Sequence, residues 1–229
     1  RSTLLASSAA SDVYKRQLED LTGISVKAGN DANVAALGEM WKGGGQGFHT
    51  LVVVTLGTGV GGGIILDGQM LTGAKGAGGE IGHIHMNDAE PDECGCGNHG
   101  CLEQYASATG VVRLAKRALA KATEKTVLNA DTVTAKDVWD AVKEGDPVAL
   151  QVAEQFGKYL GEGLAIVADV INPEAFVIGG GVSKAGEVLL SYIEKNYTKT
   201  VFHASRDVKF TLATLGNDAG IYGAAKLVL

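Results

Sequence analysis

The chain has 229 residues, 45% of them hydrophobic, with 33 glycines, three prolines and a formal net charge of −6. That length can bury one large core or two smaller ones, and the glycine content suits an α/β protein with tight strand-to-helix turns. The acidic balance argues against nucleic acid as a partner but leaves room for a nucleotide held by backbone N–H groups and a metal. No apolar run approaches the roughly 20 residues that would make a membrane a partner.

Residues 1–17, RSTLLASSAASDVYKRQ, are rich in Ser and Ala and show no useful helical or strand period. Their apolar part, Leu4 to Ala6, is too short for a signal-peptide core. The segment reads as non-native and disordered, a vector or linker remnant, and domain reasoning starts near Leu18. Ile24 to Ala28 reads as a short strand after the turn Thr22-Gly23. In the run Gly29-Asn30-Asp31-Ala32-Asn33, Asn30 or Asp31 is a natural N-cap for a helix from Val34 to Trp41, stopped by Gly43-Gly44-Gly45. Thr50 to Leu71 reads as strand, glycine turn, strand, with Asp67-Gly68 as a hairpin turn into a third, short strand. Gly57-x-Gly59-x-x-Gly62 matches the dinucleotide fingerprint, but β-rich Ile64-Ile65-Leu66 stands where a helix is required, so a Rossmann reading fails. A glycine-lined hairpin end that approaches phosphate fits better, with a ligand-free β-turn as the alternative.

The stretch Gly78 to Glu103 organises the chain. It holds all three cysteines (Cys94, Cys96, Cys101), three of the five histidines (His83, His85, His99) and two flanking glutamates, Glu80 and Glu103. The odd number of cysteines argues against a disulfide framework, and their clustering argues against inert buried thiols. The spacing points to a structural zinc completed by an upstream histidine, His83 ahead of His85 or His99. Few cysteines, grouped for metal, fit a reducing cytoplasm.

Beyond this stretch, Leu102 to Ala122 reads as one long amphipathic helix and Thr134 to Glu144 as a shorter one capped by Thr134. Pro147 opens another, running to about Val170 and ended by Pro173, whose Gly157, Gly161 and Gly163 imply close helix packing. Ala175 to Ile178 is a buried strand. Gly179-Gly180-Gly181 then turns through Val182-Ser183 into a helix from Lys184 to Tyr197, an order that suits an anion or nucleotide at the helix N-terminus. Val208 to Leu212 is the last strand, and Leu215 to Asp218 caps a terminal helix, Ala219 to Val228. No internal repeat stands out.

Four motifs in fixed order resemble the ROK family of sugar kinases and sugar-responsive repressors. They are GNDANVAALGE (Gly29 to Glu39), LGTGVGGGI (Leu56 to Ile64), GGEIGHI with CGCGNHGCLE (within Gly78 to Glu103) and VIGGGVS (Val177 to Ser183). The resemblance covers Leu18 to Leu229 and leans towards the bacterial glucokinase branch. It implies an α/β, actin-like and ribonuclease-H-like fold, with residues 18–42 and 218–229 as the remnant of a small N-terminal lobe. Residues 43–217 would then form a larger C-terminal lobe carrying the zinc loop. It further implies a cytoplasmic, homodimeric, ATP-dependent hexose kinase using Mg2+ and structural Zn2+, glucose being the first choice of sugar. The alternative is the sugar-binding domain of a ROK-type repressor.

By the same resemblance, His83, Cys94, Cys96 and Cys101 hold the zinc, and Asn30, Asp31, Glu80, His83 and Glu103 meet sugar hydroxyls, with Asp31 as catalytic base. Thr58 and Gly59 would approach the ATP phosphates, and the turn Gly179, Gly180, Gly181 would face the adenosine. On the residues alone, Asp31 is equally a plain N-cap, and Glu80 and Glu103 are solvated loop charges or, flanking a rigid zinc loop, paired acceptors for hydroxyls. Kinases of this kind open with an Asp-x-Gly-Gly-Thr phosphate-binding motif that is not found here. The chain is therefore expected to be a fragment, inactive alone.

Overall fold

The β-branched run LVVVTL forms strand β1 (Leu51–Leu56), buried along nearly its whole length, as a strand covered on both faces must be. The computed structural model describes residues 3–229, with side chains from Val13 onward. β1 pairs antiparallel with β2 (Val60–Leu66), which returns to the two-residue β3 (Gln69–Met70). The turn between them has positive φ at both Asp67 (49°) and Gly68 (76°), the combination a two-residue hairpin needs. On its other side β1 runs parallel to β4 (Ala175–Gly179), and β4 parallel to β5 (Lys209–Leu212), so the sheet order is β3-β2-β1-β4-β5. Because β1 and β4 are parallel neighbours, the glycine turns that follow them open at one end of the sheet, the usual place for ligands in such sheets.

Successive residues of β1 face two different cores. Val52, Val54 and Leu56 join the larger one, built with α3 (Glu103–Ala106), α4 (Ala108–Leu119), α5 (Ala135–Lys143), α6 (Pro147–Ile171) and α7 (Glu187–Thr200). Leu51 and Val53 join Ala36, Leu37, Ile65, Ala175 and Val177 on the opposite face, covered by α2 (Asp31–Lys42) and α8 (Ala219–Val228). The glycines of α6 do bring it close to α7: a Cβ at Gly157 would lie 2.5 Å from the Tyr192 carbonyl oxygen, and one at Gly161 2.6 Å from the Tyr197 nitrogen. At the foot of α2 the buried carboxylate of Glu39 accepts backbone N–H groups from Gly44 (2.8 Å), Thr214 (3.1 Å) and Leu215 (3.0 Å). One side chain thereby holds both segments that join the α2–α8 pair to the sheet.

The structure departs from the sequence reading at five places. Residues 3–17, expected to be irregular, continue into helix α1 (Thr3–Thr22), a stretch without glycine or proline; its described apolar residues Val13, Tyr14, Leu18 and Leu21 are exposed. Residues 1 and 2 of that expectation lie outside the described part. Ile24 to Ala28 has no regular secondary structure and pairs with no described strand; its Val26 N–H is taken by the Glu19 carboxylate (2.8 Å). The long helix from Leu102 is broken at Ser107, whose extended backbone (ψ 173°) lets its Oγ cap α4 by accepting the Gly110 N–H. After β4 the glycine turn leads into a 3-10 turn, Val182–Ala185, and α7 starts only at Glu187, behind Gly186 and without a side-chain cap. The N-terminus of α7 therefore does not open on the glycine turn. Finally, Asp218 makes no side-chain cap for α8.

Candidate active site

Asn30 is the N-cap of α2: its Oδ1 accepts the N–H groups of Ala32 (3.0 Å) and Asn33 (3.3 Å), and the Asp31 Oδ1 also accepts the Ala32 N–H (2.8 Å). Asp31 is the first helical residue and lines a cleft of about 520 Å³ together with Glu80, His83, Glu103, Gly59, Thr55 and Asn217. Asn30 is not among the residues lining this cleft, so of the five residues assigned to sugar four are brought together. Glu80 Oε2 stands 3.9 Å from His83 Nε2, and Glu103 Oε1 stands 3.8 Å from His83 Nδ1. The imidazole thus lies between the two glutamates. A cleft walled by three carboxylates offers many acceptors and little that would attract an anion. Its chemistry suits a neutral ligand rich in hydroxyl donors.

Backbone pairing brings the zinc loop to this cleft. The Met86 N–H donates to the Gly100 carbonyl (2.7 Å) and the Leu102 N–H to the Ile84 carbonyl (2.9 Å), which sets His83 beside cysteines more than ten residues later. His83, Cys94, Cys96 and Cys101 present one donor atom each within 4.8 Å of one another. Zinc–sulfur bonds of about 2.3 Å imply ligand-to-ligand edges of roughly 3.8 Å in a tetrahedron. The separations of 3.7 Å between His83 Nδ1 and Cys94 Sγ and 3.6 Å between Cys96 and Cys101 Sγ match that size. Three thiols and an imidazole fit a closed structural zinc with no position left for chemistry. Burial pushes the Cys94 and Cys101 thiols up, whereas the backbone N–H of Asn98 draws Cys96 down. His85 turns away from the cluster to Asp88 (2.8 Å) and the His99 carbonyl (2.9 Å). The Cys94 thiol donates to Glu103 Oε1 (2.9 Å), linking metal loop and cleft directly. Gly59 lies directly against this side chain: a Cβ there would come within 2.5 Å of Glu103 Oε2.

A clamp that the sequence reading did not find holds the loop from behind. Glu90, with no exposed side-chain surface, accepts two hydrogen bonds from Arg117 (2.6 and 2.9 Å) and one from the Tyr105 hydroxyl (2.6 Å). Arg117 holds the Glu90 carboxyl down to about 2, against the opposing effect of burial. Arg117 also reaches Asp92 (3.0 Å), and the Gln104 side chain donates to the Asp92 carbonyl (2.8 Å) while accepting the Cys101 N–H (2.9 Å).

Thr58 and Gly59 line a smaller recess of about 240 Å³ beside Cys94 and Glu103. Gly179, Gly180 and Gly181 line a separate cleft of about 380 Å³ with Ser183 and Lys184. The two larger clefts share Thr55, Gly216 and Asn217, so a groove runs from the glycine turn of β4 to the acidic pocket. Asn217 was legible only as part of a cap. The available signal was the tetrapeptide Gly-Asn-Asp-Ala, which occurs at Gly29–Ala32 and again at Gly216–Ala219.

The ROK family profile matches residues 7–229 and so begins inside the segment read as foreign. Glucokinase of Halalkalibacterium halodurans is 46% identical over 219 residues, which are 93% of this chain and 66% of that protein. The xylose repressor of Caldicellulosiruptor bescii is 32% identical over 87% of this chain and 51% of its own length. The crystal structure of a ROK family glucokinase from Streptomyces griseus, in complex with glucose and AMPPNP, superposes with a TM-score of 0.79 at 38% identity, covering 93% of this chain and 71% of that one. The α/β architecture is thus the actin-like fold of ROK glucokinases, and the protein belongs to the ROK family.

Proposed function

We propose that this chain is the larger part of an ATP-dependent hexose kinase, glucose being its first-choice sugar, that uses Asp31 as general base. The observation that carries the reading is that Asp31, the first residue of α2, shares one acidic cleft with Glu80, His83 and Glu103. In the proposed reaction the Asp31 carboxylate takes the proton of the sugar 6-hydroxyl while its oxygen attacks the γ-phosphorus. The bond to the bridging oxygen breaks, and ADP leaves with the electron pair. Little covalent chemistry falls to the protein, so positioning dominates. Asn30, Glu80, His83 and Glu103 would hold the hydroxyls, Thr58 and Gly59 would face the phosphates, and Gly179, Gly180 and Gly181 the adenosine. Mg2+, bound with the nucleotide, would neutralise charge developing on the phosphates. Residues 18–42 and 218–229 would represent the small lobe and 43–217 the large one, in a homodimer working in the cytoplasm; no described helix is long and apolar enough to cross a membrane.

The chain spans 66–70% of the length of its glucokinase relatives. The Asp-x-Gly-Gly-Thr motif expected of a kinase would lie in the remainder, and the 229 residues alone should not turn over. The repressor reading is the weaker one, since the glucokinase identity is 46% against 32% for the xylose repressor and a sugar sensor needs no base. A coupled ADP-release assay across glucose, fructose, N-acetylglucosamine and N-acetylmannosamine, on the complete protein and on this chain, tests the proposal. Asp31→Ala should lower turnover of the complete protein about 10²–10⁴-fold with its melting temperature unchanged. Undiminished turnover, or an unfolded variant, would count against Asp31 as base.

A further inference from the structure

The groove that joins the two larger clefts has its floor on β1. Odd-numbered residues of that strand face α2 and α8: Leu51 and Val53 are packed there, and Thr55, next in the alternation, lines both clefts. Its cross-strand partners on that face are both glycines, Gly61 on β2 and Gly179 on β4. A Cβ on Gly61 would stand 3.5 Å from the Ala32 Cβ and 3.8 Å from the Thr55 Cβ. That is ordinary van der Waals contact, so packing does not demand glycine there. A glycine inside a strand also marks the close approach of a ligand, and here it leaves the Thr55 side chain alone on bare sheet.

The Thr55 hydroxyl has no hydrogen-bond partner among the described residues, whereas the other half-buried threonines have one. Thr50 donates to Asp67 (3.4 Å), Thr126 to Asp146 (3.0 Å) and Thr211 to the Gly44 carbonyl (3.1 Å). Nor is Thr55 Oγ1 closed off from the groove: among the described residues the fully buried unpartnered atoms belong to Asn33, Arg113 and Trp139. An open, unspent hydroxyl thus stands where the two clefts meet. The acidic cleft beyond it is walled by Asp31, Glu80 and Glu103, which repel a phosphoryl group and, when ionised, donate nothing. Of the side chains that line both clefts, only Thr55 and Asn217 carry a donor. Asn217 is exposed in a 3-10 turn, whereas Thr55 is fixed by a central strand and by its own stiff χ1.

We propose that Thr55 is a further catalytic residue, its hydroxyl donating to a non-bridging oxygen of the phosphoryl group as that group crosses from the nucleotide to the sugar. The inference rests on the kinase reading above and deepens it. Thr55 keeps its proton throughout: the new bond forms between phosphorus and the sugar oxygen, the old one breaks towards ADP, and the hydroxyl only stabilises the negative charge between them. A donor held rigidly at that point acts on the transition state more than on either bound reactant. Its loss therefore falls on kcat and not on KM.

The test is steady-state kinetics of the complete protein, with ATP and whichever hexose supports ADP release, for the native sequence, Thr55→Val and Thr55→Ser. Valine keeps the shape and strand preference of threonine and removes the donor; serine keeps the donor and removes the methyl group. Thr55→Val should lower kcat about 100-fold, the scale for losing one such donor, with both KM values and the melting temperature little changed. Thr55→Ser should recover most of the turnover. Native kcat in Thr55→Val, equal losses in the two variants, or a loss confined to KM overturns the proposal. Should Thr55→Val fail to fold, Thr55→Ala, which adds nothing to the groove, takes its place. The kinase reading is judged separately by sugar-dependent ADP release from the native protein: its absence overturns both readings, whereas release that Thr55→Val leaves intact sinks only the role of Thr55.

Discussion

Glu90 has its whole side chain out of solvent and its ionic partner 27 positions away, which is why no local pattern announces it. Its carboxyl is held at about 2, below the ordinary value of 4.5. A depressed carboxyl contributes stability in full above the unfolded value and loses it as pH falls through the folded one. Between pH 4.5 and 2 the protein should therefore lose unfolding free energy faster than Glu90→Gln, which has nothing to protonate there; parallel urea titrations across that range check this. At neutral pH the same substitution should cost about 1–3 kcal/mol by leaving Arg117 and Tyr105 poorly paired. Asp31 and the zinc ligands lie at the other extreme of legibility. Type and spacing alone nominated the three thiols, and three of the candidate sugar residues, Glu80, His83 and Glu103, sit in or beside that same loop. Whether Asp31 caps its helix or serves chemistry could not be read, because Asn30 and Asp31 are equally good caps, and the geometry shows both side chains accepting the Ala32 N–H.

Helices α2 and α8 show what glycine does at the level of elements. A Cβ on Gly223 would strike the Val34 carbonyl, and one on Gly38 would strike the carbonyl of Ala219, whereas Gly220 faces open space. Gly223→Ala should cost about 1–3 kcal/mol through overpacking, while Gly220→Ala should cost nothing; chemical denaturation of the pair checks the contrast. Most elements were legible because their ends carry local chemistry, such as the Thr134–Asp137 capping box of α5 and proline at the start of α6. The failures came where tertiary context decides. The Ser107 break depends on the Ala108 N–H donating to the Gly57 carbonyl (2.8 Å), a contact between turns far apart in sequence. The stretch from Ile24 has strand-like residues but, among the described residues, no strand to pair with.

For the molecule as a whole, the pattern of strands and helices gave the α/β class, and the order of four motifs gave the family. What the chain order could not give was the joining of two clefts through Thr55, Gly216 and Asn217, since these residues come from opposite ends of the sequence. His83 belongs to the metal cluster and also stands between Glu80 and Glu103, which makes the acidic pocket depend on the metal loop. Stripping zinc with a chelator should therefore weaken glucose binding and raise hydrogen exchange across Cys94–Cys101, both reversed on adding zinc back; calorimetry and exchange mass spectrometry together read this. Full glucose affinity without metal would mean that Glu90 and Arg117 hold the loop by themselves.

The grip of Glu39 on Gly44, Thr214 and Leu215 has a bearing on the opposite end of its helix. Asp31 lies eight residues earlier on α2, about 12 Å along the axis at 1.5 Å per residue. Over that arm a tilt of about 5° displaces the Asp31 carboxylate by about 1 Å, and errors of that size can cost about 100-fold in rate. The accuracy with which the proposed base meets its proton is thus governed from a side chain that never approaches the sugar.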